Sequence, residues 1–373
     1  MADNGIKRRD FVGGGALLAG ALAGGLGEAQ VRTPSKAPAN KAPAGRNVLN
    51  YNENMEYRRL GKTGLMVSAV CLGGHWKRIS TTGVKDIKPF DSWDYLKAPG
   101  FFESRDKVMS HCIEVGINYV DAMAAVEVVA YGQLLKGRRD KFYLGYGWWA
   151  REPRIPEYRD PKRLMQAFDE NLKQAGLDYV DVWRITLPME GVPDLGELQR
   201  VEDAAIEGLT RAKKQGKARF TGVSTHNRVW LKALIEQYPE QIEVALFPYT
   251  ANTKQLPTDS VFDSIKEYDV GVFGIKPFSD QALFSGDSSL TSPTAEEDDR
   301  RARLTLRYIL GNPGITAPIP GMINTHQVDN AVLAVRERRT LDAKEKAELN
   351  DIGRGMWARL RPDHEWLRDW EYV

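Results

Sequence analysis

The chain has 373 residues, 42% of them apolar and 27% charged, with a net charge of +2. That balance excludes the strongly basic surface of a nucleic-acid groove or a polybasic membrane patch, so neither partner is expected. Two cysteines and five scattered histidines make neither a disulfide framework nor a metal-ligand spacing.

Lys7-Arg8-Arg9-Asp10-Phe11-Val12 leads into an uncharged run from Phe11 to Gly27 that holds seven glycines. Gly27-Glu28-Ala29 then supplies the small residues of a cleavage site. Residues 1–29 read as a twin-arginine signal peptide. A span needs about 20 strongly apolar residues, so this glycine-rich run predicts no stable membrane span. Passage through the twin-arginine export machinery and a periplasmic or otherwise extracytoplasmic location follow as expectations. Residues 30–54 turn to Ala, Pro, Lys and Asn without an apolar period, the composition of a flexible linker. The folded domain, 55–373, is expected to begin near Met55.

Glu56 to Leu60 and Leu65 to Val67, joined by Gly61-Lys62-Thr63-Gly64, predict a β-hairpin. Val70 to Gly74 reads as a strand whose glycines, Gly73 and Gly74, let backbone approach a ligand. The 46 residues between Gly74 and Asp121 include an aromatic, Pro- and Gly-rich stretch, about 76–102. Leaving the carboxyl end of a strand, that stretch is expected to fold over a site there. Asn118 to Asp121 is a strand ending in a carboxylate, Glu127 to Lys136 a helix stopped by Gly137, and Phe142 to Tyr146 another strand. Asp160-Pro161 opens a helix to about Gln174. Further strands are expected at Leu177–Ile185, Phe220–Ser224, Val244–Phe247, Val270–Ile275 and Thr316–Ile319. A helix at Ser292–Leu310 precedes the last of them, and helices at Asn324–Val335 and Asp342–Ile352 close the chain. Eight strand–helix alternations make an α/β fold, a (β/α)8 TIM barrel, whose chemistry sits at the carboxyl ends of the strands. Cys71 on the first strand and Cys112 on the first helix are expected to be buried thiols, with a single bridge left open.

Three stretches carry a resemblance: RRLGKTGLMVS in the hairpin, GINYVDAMAAVEVVAYGQLLKGRRDKFYLGYGWW in the second unit, and LTLRYILGNPGITAPIPGM near the end. The chain resembles the aldo-keto reductases over almost all of Met55 to Ile352. The resemblance implies a barrel of that family's type with an N-terminal β-hairpin plugging its amino end. It further implies NAD or NADP as cofactor and a small-molecule carbonyl or sugar-type substrate. In that family a Tyr gives the proton, its acidity tuned by a Lys that an Asp holds, and a His orients substrate. The Asp carries over to Asp121. The Tyr position is Val126, the Lys position Gly147 and the His position Thr186. A rival alignment through Tyr131-Gly132 is set aside because it erases the helix that follows.

For the cofactor, the resemblance assigns Gly73, Gly74, Ser224, Lys276, Pro277, Gly321, Met322 and Gln327. Thr225, Leu246 and Ile323 replace, in turn, an Asn, a Gln and an Arg of the family, which leaves NADP preference unsupported. The remaining polar candidates near strand ends are His75, Tyr146, Trp148, Trp149, His226 and Lys276. Among them Lys276 is expected to face Asp121 or a pyrophosphate. The leading expectation is a divergent nicotinamide-dependent oxidoreductase whose proton donor comes from the inserted loop or from the substrate. A binding or accessory barrel, or a redox-neutral sugar-processing enzyme, is the alternative. Oligomeric state is not legible in these patterns.

Overall fold

The computed structural model describes residues 47–187 and 194–373. The expected signal peptide and most of the expected linker lie outside the described residues.

β1 (Tyr57–Arg59) and β2 (Met66–Ser68) form the antiparallel hairpin, with Arg58 opposite Val67. Among the described residues, eight parallel strands follow in chain order: β3 (Leu72–Gly73), β4 (Tyr119–Ala122), β5 (Tyr143–Tyr146), β6 (Val180–Thr186), β7 (Ala218–Ser224), β8 (Val244–Pro248), β9 (Gly271–Ile275) and β10 (Ala317–Pro318). The sheet curls until its edges meet. Cys71 N–H donates to the Pro318 carbonyl at 3.1 Å and Gly73 N–H to the Pro320 carbonyl at 2.8 Å. The expected barrel with its hairpin is therefore the observed one.

Between the strands run α1 (Phe101–Val115), α2 (Ala125–Leu134), α3 (Pro161–Ala175), α4 (Leu195–Lys214), α5 (Arg228–Gln237), α6 (Val261–Glu267) and α7 (Ala295–Leu310); α8 (Thr325–Arg336) and α9 (Ala343–Ala358) follow the last strand. The local signals explain their ends. Asp160 caps α3 by accepting from Lys162 N–H, Pro161 sits at its first position, and Gly176 ends it in the left-handed region. Two apolar layers result. One lies between sheet and helices. The other fills the barrel itself, where Leu60, Leu65 and Val67 of the hairpin close over Tyr119, Val182, Val244 and Phe273. Gly61 makes that plug fit, since a Cβ there would collide with the Gly271 backbone.

Three features differ from or add to the expectations. Chain before Met55 already contacts the barrel: Asn50 and Asn52 donate to the Ile113 and Glu114 carbonyls at 2.9 Å, satisfying the open end of α1. The boundary expected near Met55 thus falls a few residues too late. Second, Cys71 and Cys112 are both buried and unbridged, and burial pushes the Cys112 thiol up to about 12. Third, the chain does not finish with a helix near Ile352. Residues 361–373 wrap back onto the barrel, with Trp370 stacked on Phe247 and Val373 buried. Among the described residues no helix is long and apolar enough to cross a membrane, and no cluster has the makings of a metal site.

Candidate active site

A cavity of about 330 Å³ opens at the carboxyl ends of the strands and runs outward toward α7 and α8. It is lined by Asp121 and by all eight residues assigned to the cofactor: Gly73, Gly74, Ser224, Lys276, Pro277, Gly321, Met322 and Gln327. Strand ends and the turns after them deliver all of these except Gln327, which stands in the first turn of α8.

Asp121 is next to last in β4 and almost fully buried. Its partner is Arg184 of β6, whose Nη2 donates to Oδ2 at 2.7 Å and Nε to Oδ1 at 3.4 Å. Burial works against the Arg184 charge, but Asp121 outweighs it and holds the guanidinium above its ordinary value. Gly147 makes this possible: a Cβ at that position would collide with Arg184 Nη1. The cation beside Asp121 therefore comes from β6, two strands away, into space that a side chain at 147 would need. Nη1 itself is buried without a hydrogen-bond partner among the described residues. The expectation that Lys276 faces Asp121 is corrected, because Arg184 already occupies that role.

Lys276 sits after β9 with a positive φ of 52°, its ammonium 5.6 Å from the centre of the Trp366 ring. Burial, reinforced by Lys77, brings it down to about 8. Trp366 also stacks on His226 with ring centres 3.4 Å apart. His226 is pushed down to about 2, first by burial and then by Lys276. Trp366 comes from the C-terminal segment, where the sequence predicts no element; the local signal there is the HEWLRDWEY pattern, with tryptophans four apart.

The stretch 76–102 touches the cavity through Lys77. Lys77 pairs with Asp280 at 2.5 Å, and Arg78 donates to the Gly286 carbonyl at 2.8 Å, so the loop after β3 is tied to the loop after β9. Its other half anchors outside the barrel, where Trp76 packs edge-on against Phe101 with centres 4.8 Å apart. His75, just before it, bonds through Nδ1 to Oε1 of Glu127 on α2. Glu127 is fully buried, and its Oε2 accepts from Met123 N–H at 2.9 Å. No sequence signal singled out Glu127.

The other candidates do not converge on the cavity. Tyr131 is buried in α2 with its hydroxyl 3.4 Å from the Gly74 carbonyl, and burial raises it to about 12. Tyr146 packs against Phe168 and Trp183 behind the sheet. Trp148 and Trp149 stand at the rim under Arg151 and Arg154. Val126 and Thr186 are buried.

Beside Gly73, Pro320-Gly321-Met322 leads into α8. Arg105 donates to the Met322 carbonyl at 2.9 Å, Gln327 Oε1 accepts from Ile323 N–H at 2.9 Å, and Asn324 caps the helix. Beyond lie Asp298 and Asp299, the latter bonded to His326 at 2.6 Å.

The aldo/keto reductase family model matches residues 101–354, more than half of the chain. The chain belongs to the aldo-keto reductase family. It is similar to L-galactose dehydrogenase of Arabidopsis thaliana, 22% identical over 77% of this chain and 90% of that one. It is also similar to L-glyceraldehyde 3-phosphate reductase of Escherichia coli (strain K12), 24% identical over 62% of this chain and 64% of that one. Solved structures with the same fold include an aldo-keto reductase of Bacillus halodurans in its holo form (TM-score 0.55, 20% identity, 80% of this chain and 96% of that chain). A solved structure described as an aldo-keto reductase from Pseudomonas aeruginosa also superposes (TM-score 0.51, 18% identity, 75% of this chain and 95% of that chain).

The residues present fit a nicotinamide dinucleotide in shape. Gly73 and Gly74 leave no room for side chains, since a Cβ at Gly74 would collide with the Asp121 carbonyl. The cavity is lined from Asp121 to the α8 N-terminus, where backbone N–H groups favour an anion.

Proposed function

We propose that this aldo-keto reductase is an NAD-dependent oxidoreductase acting on a hydroxylated, sugar-type carbonyl compound, exported by the twin-arginine route. What carries the reading is the assembly, in one cavity, of Asp121, Gly73 and Gly74 at the end of β3, and residues of the stretch 320–327. The sugar dehydrogenase among its relatives supports the substrate class. Val126, Gly147 and Thr186, standing where the family carries Tyr, Lys and His, argue for a departure from the usual proton transfer. NAD is favoured over NADP because Asp298 and Asp299 line the far end, where a 2′-phosphate would meet like charge. When bound, the nicotinamide supplies or takes up a hydride at the substrate carbon. The protein's part would be to hold it, with Gly73 and Gly74 at the first strand, Ser224 and Lys276 near the barrel mouth, and Gly321, Met322 and Gln327 toward the phosphates.

Titrating NAD(H) and NADP(H) against tryptophan fluorescence tests this. The expected result is micromolar binding of NAD(H), weaker binding of NADP(H), and no more than background reduction of simple aldehydes with NADPH. Binding of neither nucleotide would shift the weight to a redox-neutral or accessory barrel, a reading that the Arg184-filled space at Gly147 favours. Export is tested separately: Arg8→Lys with Arg9→Lys should hold the precursor in the cytoplasm.

A further inference from the structure

An oxidoreductase acting on a carbonyl needs a group that gives the oxygen a proton and takes it back. Among the described residues no tyrosine lines the cavity. Asp121 is held in its ion pair with Arg184, and Lys77 in its pair with Asp280. His226 lies flat under Trp366, where burial and Lys276 keep it uncharged. His326 is at the far end, engaged with Asp299.

His75 differs from all of these. It lies at the carboxyl end of the first barrel strand and lines the same cavity as Asp121 and Gly321. Its ring is fixed on two sides: Nδ1 on Glu127, and an edge against Phe90 with centres 4.6 Å apart. Its Nε2 carries no partner among the described residues. Glu127 has no exposure to solvent, and its second oxygen is occupied by Met123 N–H. A buried carboxylate bonded to one imidazole nitrogen fixes the tautomer and leaves the other nitrogen to work on a ligand.

We propose that His75 is the catalytic acid and base of this site and Glu127 its positioning residue; the proposal rests on the oxidoreductase reading above. Reducing the substrate, Nε2 gives its proton to the carbonyl oxygen as C=O becomes C–O–H, and the neutral ring keeps Nδ1–H on Glu127. Oxidising it, the neutral ring takes the hydroxyl proton at Nε2. In both directions a bound nicotinamide would supply or accept the hydride at carbon, which balances the electrons. The charged groups facing the ring are Glu127 from α2 and, across Phe90, Lys77 of the inserted stretch, 5.5 Å from the Phe90 ring centre.

The test compares the exported barrel with His75→Asn and Glu127→Gln by three measurements. Tryptophan fluorescence reads NAD(H) affinity. Nitrogen-15 spectra of labelled histidine read the tautomer of His75. Oxidation of L-galactose with NAD⁺ and reduction of L-glyceraldehyde with NADH are followed from acid to alkaline pH. The proposal expects unchanged nucleotide affinity, the neutral ring protonated on Nδ1, and a kcat loss of roughly 10²–10⁴-fold in His75→Asn. Glu127→Gln should lose less and shift the pH profile, an effect a merely structural role would not give. Either wild-type kcat in His75→Asn or a neutral ring protonated on Nε2 overturns the proposal. If neither substrate turns over, the tautomer decides. If NAD(H) does not bind, the oxidoreductase reading fails, and the spectra still decide the pair.

Discussion

Arg184 reaches Asp121 across the strand between them because Gly147 leaves the space open. Both charges are buried, so each depends on the other more than a surface pair would. Arg184→Met should destabilise by about 3–5 kcal/mol, because it strands the Asp121 carboxylate. The double variant Asp121→Asn/Arg184→Met should recover much of that loss in urea unfolding. Costs that simply add would show that the two do not form a unit. Lys276 gives a prediction in pH. Its folded value of about 8 lies below the ordinary 10.5, so between those values the unfolded chain binds more protons. Stability from this group therefore rises with pH across that window, and below about pH 8 the penalty is fully present. Lys276→Met should flatten the rise, by at most about 1.4 kcal/mol per pH unit. A wild-type profile unchanged by the substitution would remove the assignment.

The segment after α9 is where local sequence signals were least informative. Its aromatics gain meaning only when folded back: Trp370 and Val373 are buried in the core that holds Phe247 of β8, Leu367 is buried with Leu283 and Met356, and Trp366 roofs Lys276 and His226. Ending the chain at Leu360 should therefore cost on the order of 5 kcal/mol, from about 1.5–3 kcal/mol per large side chain re-exposed. It should also bring the Lys276 titration back toward the ordinary range. A shortened chain that melts as the full one does would show that the tail is an ornament. The strands and helices were more legible, because apolar period, caps and glycine stops are local and each coincides with an observed element. The site was legible by halves. Asp121 and the loop 320–327 came through because their wording is local. The Arg184 and Glu127 partnerships did not, since each joins residues 63 and 52 positions apart and no short-range pattern encodes such a distance.

At the scale of the molecule, a closed sheet has no free edges, and its two ends carry different tasks. The carboxyl end holds the cavity. The amino end is sealed by the hairpin and by residues 49–54 on the exit of α1. Asn50 donates to the Ile113 and Ile117 carbonyls, Asn52 to the Glu114 carbonyl, and Leu49 accepts from Asn118 at 2.9 Å. Asn118 also bonds Met66 and Ser68, so this segment, the hairpin and β4 share one buried polar network. A composition rich in Ala, Pro and Asn reads as linker, yet here the asparagines serve as caps for a helix distant in sequence. Each such hydrogen bond contributes about 0.5–1.5 kcal/mol net. A chain beginning at Met55 should therefore be less stable by about 2–4 kcal/mol than one beginning at Asn47, while both fold. In urea, the midpoint should fall with the slope nearly unchanged, because the core exposed on unfolding is the same. Tyr57, whose hydroxyl accepts from Asn52 N–H and donates to the Asn50 carbonyl, reports the same event: its fluorescence should change in the shorter chain and not in the longer. Coincident midpoints for the two chains would return the domain boundary to Met55.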